Sequence, residues 1–321
     1  MFSQIAIEMF FCYTIFVMEN IERYRHLNKY LKEKFGERVL KICIDGGFTC
    51  PNRDGSKGTG GCIFCSEKGS GEHIKTANSI TKQVENYFKS YKAERANRFI
   101  AYFQNFTNTY DTIPNLKKKY DAALIDDRII GLSIATRPDC IDEDIVKLLK
   151  SYTNNYYVSV ELGLQTVNDK TGKLINRGYS SSDFTKAVEL LNKYNIDVVT
   201  HIMIGLPNET KEDLKSTVDF INNHKIQGLK IHSCYIVKNT VLADMYKNGE
   251  YLPISLEEYL ESAAFVITHI NPHIIIHRIS GDAPKDLLVA PSWNSHKKWI
   301  INGFDKLLRE QNLYQGMLFK K

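Results

Sequence analysis

The chain opens on a largely apolar and aromatic run over residues 1–18, broken by Glu8 and followed by charged residues from Glu19. Beyond it the hydrophobic positions switch between two rhythms. Short runs rich in β-branched residues predict strands over 39–45, 98–104, 128–135, 156–164, 196–204 and 228–235. Between them, apolar residues recur at helical spacing over roughly 79–95, 115–126, 142–152, 181–194 and 210–223. Asp142 and the run Ser181-Ser182-Asp183 supply capping chemistry at the start of two of these helices. Strand–helix alternation builds βαβ units, a parallel sheet and right-handed crossovers. The expected fold class is therefore α/β, a partial (β/α)6 TIM-like barrel, with a doubly wound sheet as the competing arrangement. Residues 237–321 hold further helical pattern and one more strand candidate at 274–279.

The apolar start needs separate treatment. A membrane helix wants about 20 apolar residues, and Glu8 interrupts this shorter run. A signal peptide wants a positive first region and a small-residue cleavage site, and neither is present. Residues 1–18 are expected to form an N-terminal extension, with translation from Met18 as the alternative. The core barrel is expected over 19–236 and a C-terminal extension packed on it over 237–321.

Composition narrows the choices only in part. With 43% hydrophobic and 25% charged residues, bulk disorder is excluded. Lys+Arg 42 against Asp+Glu 37 leaves a net charge of +5, which permits a nucleic-acid partner without requiring one. Seven cysteines are an odd number and too few for a disulfide scaffold. A reducing, cytoplasmic setting with chemically employed cysteines, and no membrane partner, is the expectation.

Three of those cysteines stand together after the first strand. Cys50, Cys62 and Cys65 form C-x11-C-x2-C in a loop rich in glycine, where the backbone can wrap a compact object. The loop follows a strand directly, at the edge where parallel α/β folds place active sites. Two metal centres suit this pattern. Structural zinc takes four ligands, and His73 can complete the set. A [4Fe–4S] cluster takes thiolates, and three of them leave one iron open to another ligand. Inert thiols in a turn-rich loop are the third reading.

The loop resembles the cluster loop of the radical S-adenosylmethionine (SAM) enzymes. More narrowly, it is similar to small bacterial members with a CPNRDG…GGC-x-FC loop, and more distantly to the catalytic subunit of Elongator. The likeness extends from about residue 23 to about 315 through Glu161-Leu162-Gly163-Leu164-Gln165-Thr166, Asn176-Arg177-Gly178-Tyr179 and His201-Ile202-Met203-Ile204-Gly205-Leu206-Pro207. The acetyltransferase domain of the Elongator subunit has no counterpart.

The resemblance implies that Cys50, Cys62 and Cys65 ligate [4Fe–4S], with Phe64 as the aromatic residue before the last cysteine. It implies SAM as second cofactor, chelating the open iron and yielding a 5′-deoxyadenosyl radical on one-electron reduction by a donor such as flavodoxin or ferredoxin. Gln104 would meet the methionine amino group, although the family's usual glycine-rich block is absent there. Glu161 would accept from the SAM ribose or ammonium, Arg177 would pair with its carboxylate, and the backbone at Gly205 would pack on adenine. The plainer alternatives are a salt-bridged strand carboxylate, a solvated arginine and a strand-to-helix turn. The expected substrate is tRNA, at the C5 side chain of the wobble uridine. A small-molecule or protein substrate is the second possibility, and a zinc-stabilised RNA-binding module the third.

Weaker catalytic candidates are Cys140 in a strand-to-helix loop and His201 and His232 on strands. Cys43 and Cys234 read as packing residues, and Cys12 belongs to the apolar start. The basic clusters at 117–119 and 297–298 suit RNA or, more plainly, solvated helix faces.

Overall fold

The computed structural model describes residues 22–69, 78–281 and 283–320. The apolar start with Cys12, and His73, lie outside the described residues.

Strand β1 (Val39–Ile44) is followed by β2 (Arg98–Phe103), β3 (Ile129–Thr136), β4 (Tyr157–Gln165), β5 (Asp197–Ile204) and β6 (Gly228–Ser233). Each pairs in parallel with the next in sequence. A short β7 (Ile236–Val237) pairs antiparallel with β9 (Leu288–Ala290) outside this sheet. The strand anticipated near 274–279 forms as β8 (Ile275–Arg278) and adds to β6 in parallel. The sheet thus has seven strands in the order β1-β2-β3-β4-β5-β6-β8. This sequential order is that of an open barrel and rules against the doubly wound alternative, in which the order reverses at a switch point.

Ten helices lie among the described residues: α1 (Leu27–Phe35), α2 (Ile80–Phe88), α3 (Ile113–Asp121), α4 (Glu143–Tyr152), α5 (Asp169–Leu174), α6 (Ser181–Lys193), α7 (Lys211–Asn222), α8 (Val241–Lys247), α9 (Leu256–His269) and α10 (Lys297–Glu310). Local chemistry starts several of them. Asp142 caps α4 by accepting from the Ile145 amide at 2.9 Å. Helix α6 starts at Ser181 as anticipated, and its cap is Ser180, one residue ahead of the anticipated capping run, with Asp183 closing a capping box. The helix expected over 79–95 stops at Phe88; Ser90 bonds back to the Tyr87 carbonyl at 2.6 Å and the chain resumes as a 3-10 turn.

Alternation along each strand divides the sheet into two faces. Ile42, Ile44, Phe99, Phe103, Leu132, Ile134, Val160, Leu162, Val198, Leu229 and Ile231 join the main core with Leu116, Tyr120, Leu149, Phe184, Val218, Tyr259 and Phe304 of the helices. The opposite face carries Lys41, Tyr102, Ser133, Glu161, His201 and Lys230, one layer on successive strands lining the concave lumen. The helices therefore cover the convex side, and chemistry is left to the lumen and to the C-terminal mouth of the strands.

Candidate functional site

The cysteine loop leaves β1 at that mouth. Glycines at 55, 60 and 61 adopt φ of 89°, 77° and 76°, a region favouring glycine, and so permit its turns. At Gly61 a Cβ would sit 2.7 Å from the Arg53 side chain, so only glycine lets Arg53 fold across the loop. Arg53 then donates to the carbonyls of Cys65 (3.0 Å) and Glu67 (3.2 Å). The loop is also held from outside. Asn52 donates to the Asn176 carbonyl at 2.6 Å, and Asn176 donates to those of Thr59 and Gly61 at 3.1 and 2.7 Å. Backbone bonds join Ile63 to Ile175 (3.1 Å) and Leu242 to Ile63 (3.0 Å). Lys57 reaches the Asp139 carboxylate at 2.8 Å.

The thiols of this loop feel one another. Burial pushes the Cys62 thiol up to about 12; Cys65 and Cys50 add to the rise, against Arg137 and Arg53. Among the described residues no three His, Cys, Asp or Glu side chains form a group that could hold one metal ion. A mononuclear site draws its ligands to one point, about 2.3 Å from zinc for each sulfur. A cluster spreads them over separate irons. Three soft thiols grouped in one wrapped loop fit the donor set of an iron–sulfur cluster. Phe64 lies partly buried against Ile63, Ile175, Leu206, Ile236 and Leu242, which anchors the CxxC turn in a small apolar cluster of its own.

Several residues anticipated as SAM contacts have other duties. Arg177 is fully buried. It donates to the carbonyls of Leu164 and Thr166, both at 2.6 Å, and of Tyr179 at 3.0 Å, and pairs with Asp169 at 2.7 Å. It is neither a carboxylate fork for SAM nor a solvated arginine; it clamps the β4–α5 loop. Sequence reasoning missed its neighbour Arg137, which chelates Asp139 with two bonds of 2.9 Å and donates to the Arg177 carbonyl at 3.0 Å. The Asn176-Arg177-Gly178-Tyr179 block is thus a brace for the cysteine loop. Its clue in the sequence was the Asn-x-Gly turn chemistry, realised as φ of 51° at Asn176 and 77° at Gly178.

Glu161 takes the plainer of its two readings, the salt-bridged strand carboxylate. Oε1 accepts from Lys41 (2.7 Å) and Ser133 (3.1 Å), and Oε2 from His201 (2.8 Å) and Lys230. Both oxygens are filled by protein donors, so the carboxylate is the hub of the lumen and offers nothing to a ribose. Burial pushes its carboxyl up, but Lys230 and Lys41 outweigh this and hold it well below the usual range. A carboxylate only accepts, so His201 carries its hydrogen on Nε2. Burial and Lys230 bring the His201 imidazole down to about 4 despite Glu161. Burial also lowers Lys230 to about 8 against the pull of Glu161. The His232 ring lies 5.2 Å from that of His201, and burial, His201 and Arg278 hold it neutral, well below its ordinary range.

Gly205 ends β5 with φ of 85°, and its carbonyl is taken by the Tyr251 hydroxyl at 2.6 Å. Gln104 follows β2, its amide on the Ile44 carbonyl at 3.3 Å, beside the start of the cysteine loop. Both side-chain atoms of its neighbour Asn105 are buried without a partner, as is Thr107 Oγ1. Polar atoms left open at this point of the mouth suit a ligand. Cys140 sits in the β3–α4 connection, its thiol pushed up to about 11 by burial and then by Asp139. Cys43 alternates with Ile42 and Ile44, so it faces the lumen with Lys41 and is not a packing residue of the helix side. Cys234 does pack, among Leu206, Ile236 and Tyr251.

Residues 53–221 match the radical SAM superfamily and residues 226–310 the radical SAM C-terminal domain. The protein YtqA of Bacillus subtilis is 38% identical over 94% of this chain and 94% of its own length. YhcC of Escherichia coli is 34% identical over 90% of this chain and 93% of its own. The chain belongs to the radical SAM superfamily and is a radical SAM enzyme, with a [4Fe–4S] cluster and SAM as cofactors and a need for a reductant. A tRNA uridine(34) acetyltransferase of Methanocaldococcus jannaschii is 32% identical over 50% of this chain, which spans 30% of that protein. Among solved structures, the archaeal Methanocaldococcus infernus Elp3 superposes with a TM-score of 0.65 at 20% identity, covering 86% of this chain and 64% of that one. Streptococcus suis SuiB bound to S-adenosylmethionine gives 0.51 at 14% identity, over 78% and 53%. Both share the half-barrel fold.

Proposed function

We propose that this enzyme modifies the C5 side chain of the wobble uridine of tRNA, with Cys50, Cys62 and Cys65 holding its cluster. One observation carries the substrate: the sequence likeness to tRNA uridine(34) acetyltransferases runs through half of this chain. The likeness covers 30% of that protein's length, and we take the radical chemistry alone as shared.

When bound, the cluster and SAM supply a 5′-deoxyadenosyl radical that removes a hydrogen atom from the substrate. The chain's own residues position and shield. Arg53, Asn52 and Asn176 hold the loop in its wrapped form, so the three thiols are presented together. Beside Gln104, Asn105 offers its amide group at the mouth, where the methionine end of SAM needs hydrogen bonds. Phe64 and Gly205 flank the same edge as apolar and backbone surface. The lumen keeps His201 and His232 neutral, and neither is assigned a proton-transfer step. We place the radical core at 19–236 and an extension at 237–321 that lends β8 to the barrel. A flavodoxin or ferredoxin is the fitting donor. Among the described residues no helix is long and apolar enough to cross a membrane.

Comparison of tRNA nucleosides from strains with and without the gene tests the substrate. Loss of one modified wobble uridine, with build-up of its precursor, is the expected result; an unchanged profile would overturn it.

A further inference from the structure

The lumen layer is unbalanced in charge. Lys41 and Lys230 share a single carboxylate, Glu161, at 2.7 Å and in direct contact respectively. Burial of one carboxylate between two ammonium groups leaves an excess of one positive charge in a region of low dielectric. The histidines do not offset it, because His201 and His232 are neutral and cannot supply a negative charge. Arg278 at the end of β8 adds to the positive field, depressing Lys230, His201 and His232 alike.

Hydrogen-bond capacity points the same way. Each ammonium has three N–H donors. Lys41 uses two, on Glu161 and on Ser133 at 3.3 Å. Lys230 uses two, on Glu161 and on the Tyr102 hydroxyl at 3.1 Å. One donor on each remains. Both lysines also stand against the Tyr102 ring, at 4.7 and 4.5 Å from its centroid, which keeps the two head groups over one spot. Solvent reaches them: side-chain exposure is 17% at Lys41, 9% at Lys230 and 20% at His201, but zero at Glu161. The carboxylate is sealed, whereas both lysine side chains keep some exposed surface. One step toward the mouth, where Met203 pairs with His232, the His232 Nε2 atom is buried without a partner.

We propose that Lys41 and Lys230 form an oxyanion subsite in the barrel lumen, which takes a carboxylate or phosphate group of the substrate and is separate from the site of SAM. This rests on the proposed radical chemistry at the mouth, with the substrate reaching into the lumen, and it stands whether or not that substrate is tRNA. The subsite fixes how far a substrate enters: the anion docks on the lysine pair, and the carbon to be attacked is held nearer the mouth.

The holoprotein, loaded with its cluster and saturated with SAM, is titrated with acetate, with inorganic phosphate and with chloride at constant ionic strength. Binding is read from the melting temperature. Acetate or phosphate raises it in the wild type, and chloride does not. Lys41→Met weakens that response about tenfold, the loss of one charge-assisted contact. Lys41→Arg retains it, and Glu161→Gln, which increases the positive excess, strengthens it. A response to acetate alone assigns a carboxylate, and one to phosphate alone assigns a phosphate group. No response to either anion, a response seen only when SAM is left out, or an unchanged response in Lys41→Met overturns the subsite. A purely structural role for the lysines shifts the melting temperature of all three variants and leaves the anion dependence alone. An altered tRNA profile with no anion response would retain the substrate and remove the subsite; the converse result would do the opposite.

Discussion

The two faces of one sheet differ as sharply as two proteins. On β1, Ile42 and Ile44 point to the helices and are sealed among Leu116, Tyr120 and their neighbours, while Lys41 and Cys43, alternating with them, face the lumen. The convex face is held by dispersion and burial, which are non-directional and tolerant of exchange among apolar residues. The concave face is held by a directional polar network around Glu161, in which removing one member strands its partners. The difference shows a division of labour along each strand: one face provides stability, and the face one residue out of phase is free to be shaped by ligands. The mouth adds a third condition, since the cysteine loop depends on braces from residues more than a hundred positions away.

The largest effect should appear at the mouth. Cys62→Ala is expected to leave the barrel folded but to remove cluster iron and all SAM cleavage, measured as iron per chain and 5′-deoxyadenosine formed; retained cleavage would break the ligand assignment. On the convex face, Phe103→Ala should cost about 3–5 kcal/mol in denaturant unfolding, because a packed ring leaves a cavity. In the brace, Arg177→Met strands the carbonyls of Leu164 and Thr166 and should cost about 2–4 kcal/mol. It should leave SAM affinity of the folded fraction near wild type, and a selective loss of that affinity would restore Arg177 as a cofactor contact. The lumen gives a signed pH effect. His201 titrates near 4 when folded and at its ordinary 6.5 when unfolded, so the unfolded chain binds more protons between those values. Stability contributed by neutral His201 is complete above 6.5 and is lost as pH falls toward 4. At pH 5.5 the loss should be about 1 kcal/mol, and thermal unfolding of His201→Gln should show a flatter acid limb. The smallest effect belongs to the exposed surface: Trp299→Ala should shift stability by no more than about 0.5 kcal/mol.

Much of the frame was legible in the residue pattern. Six strands fell within a residue or two of their predicted places, because buried parallel strands are short apolar runs and carry a strong local signal. The cysteine loop was legible for another reason: three thiols and several glycines in so short a segment have few other uses. The residues read wrongly share a property. Glu161 and Cys43 face groups brought in by other strands, and Arg177 folds back on the carbonyls of a nearby loop, so in each case the contact depends on the folded path of the chain and not on a local pattern.

By itself, then, the sequence determined the strand–helix alternation, the position of the thiol-bearing loop at a strand end, and family membership through its motif blocks. Those features are written in local periodicity and spacing. Only the tertiary structure decided that Arg177 is a brace, that Glu161 is filled on both oxygens, and that two lysines share one carboxylate in the lumen. Charge balance and hydrogen-bond satisfaction are sums over neighbours in space, and here those neighbours lie up to 120 residues apart.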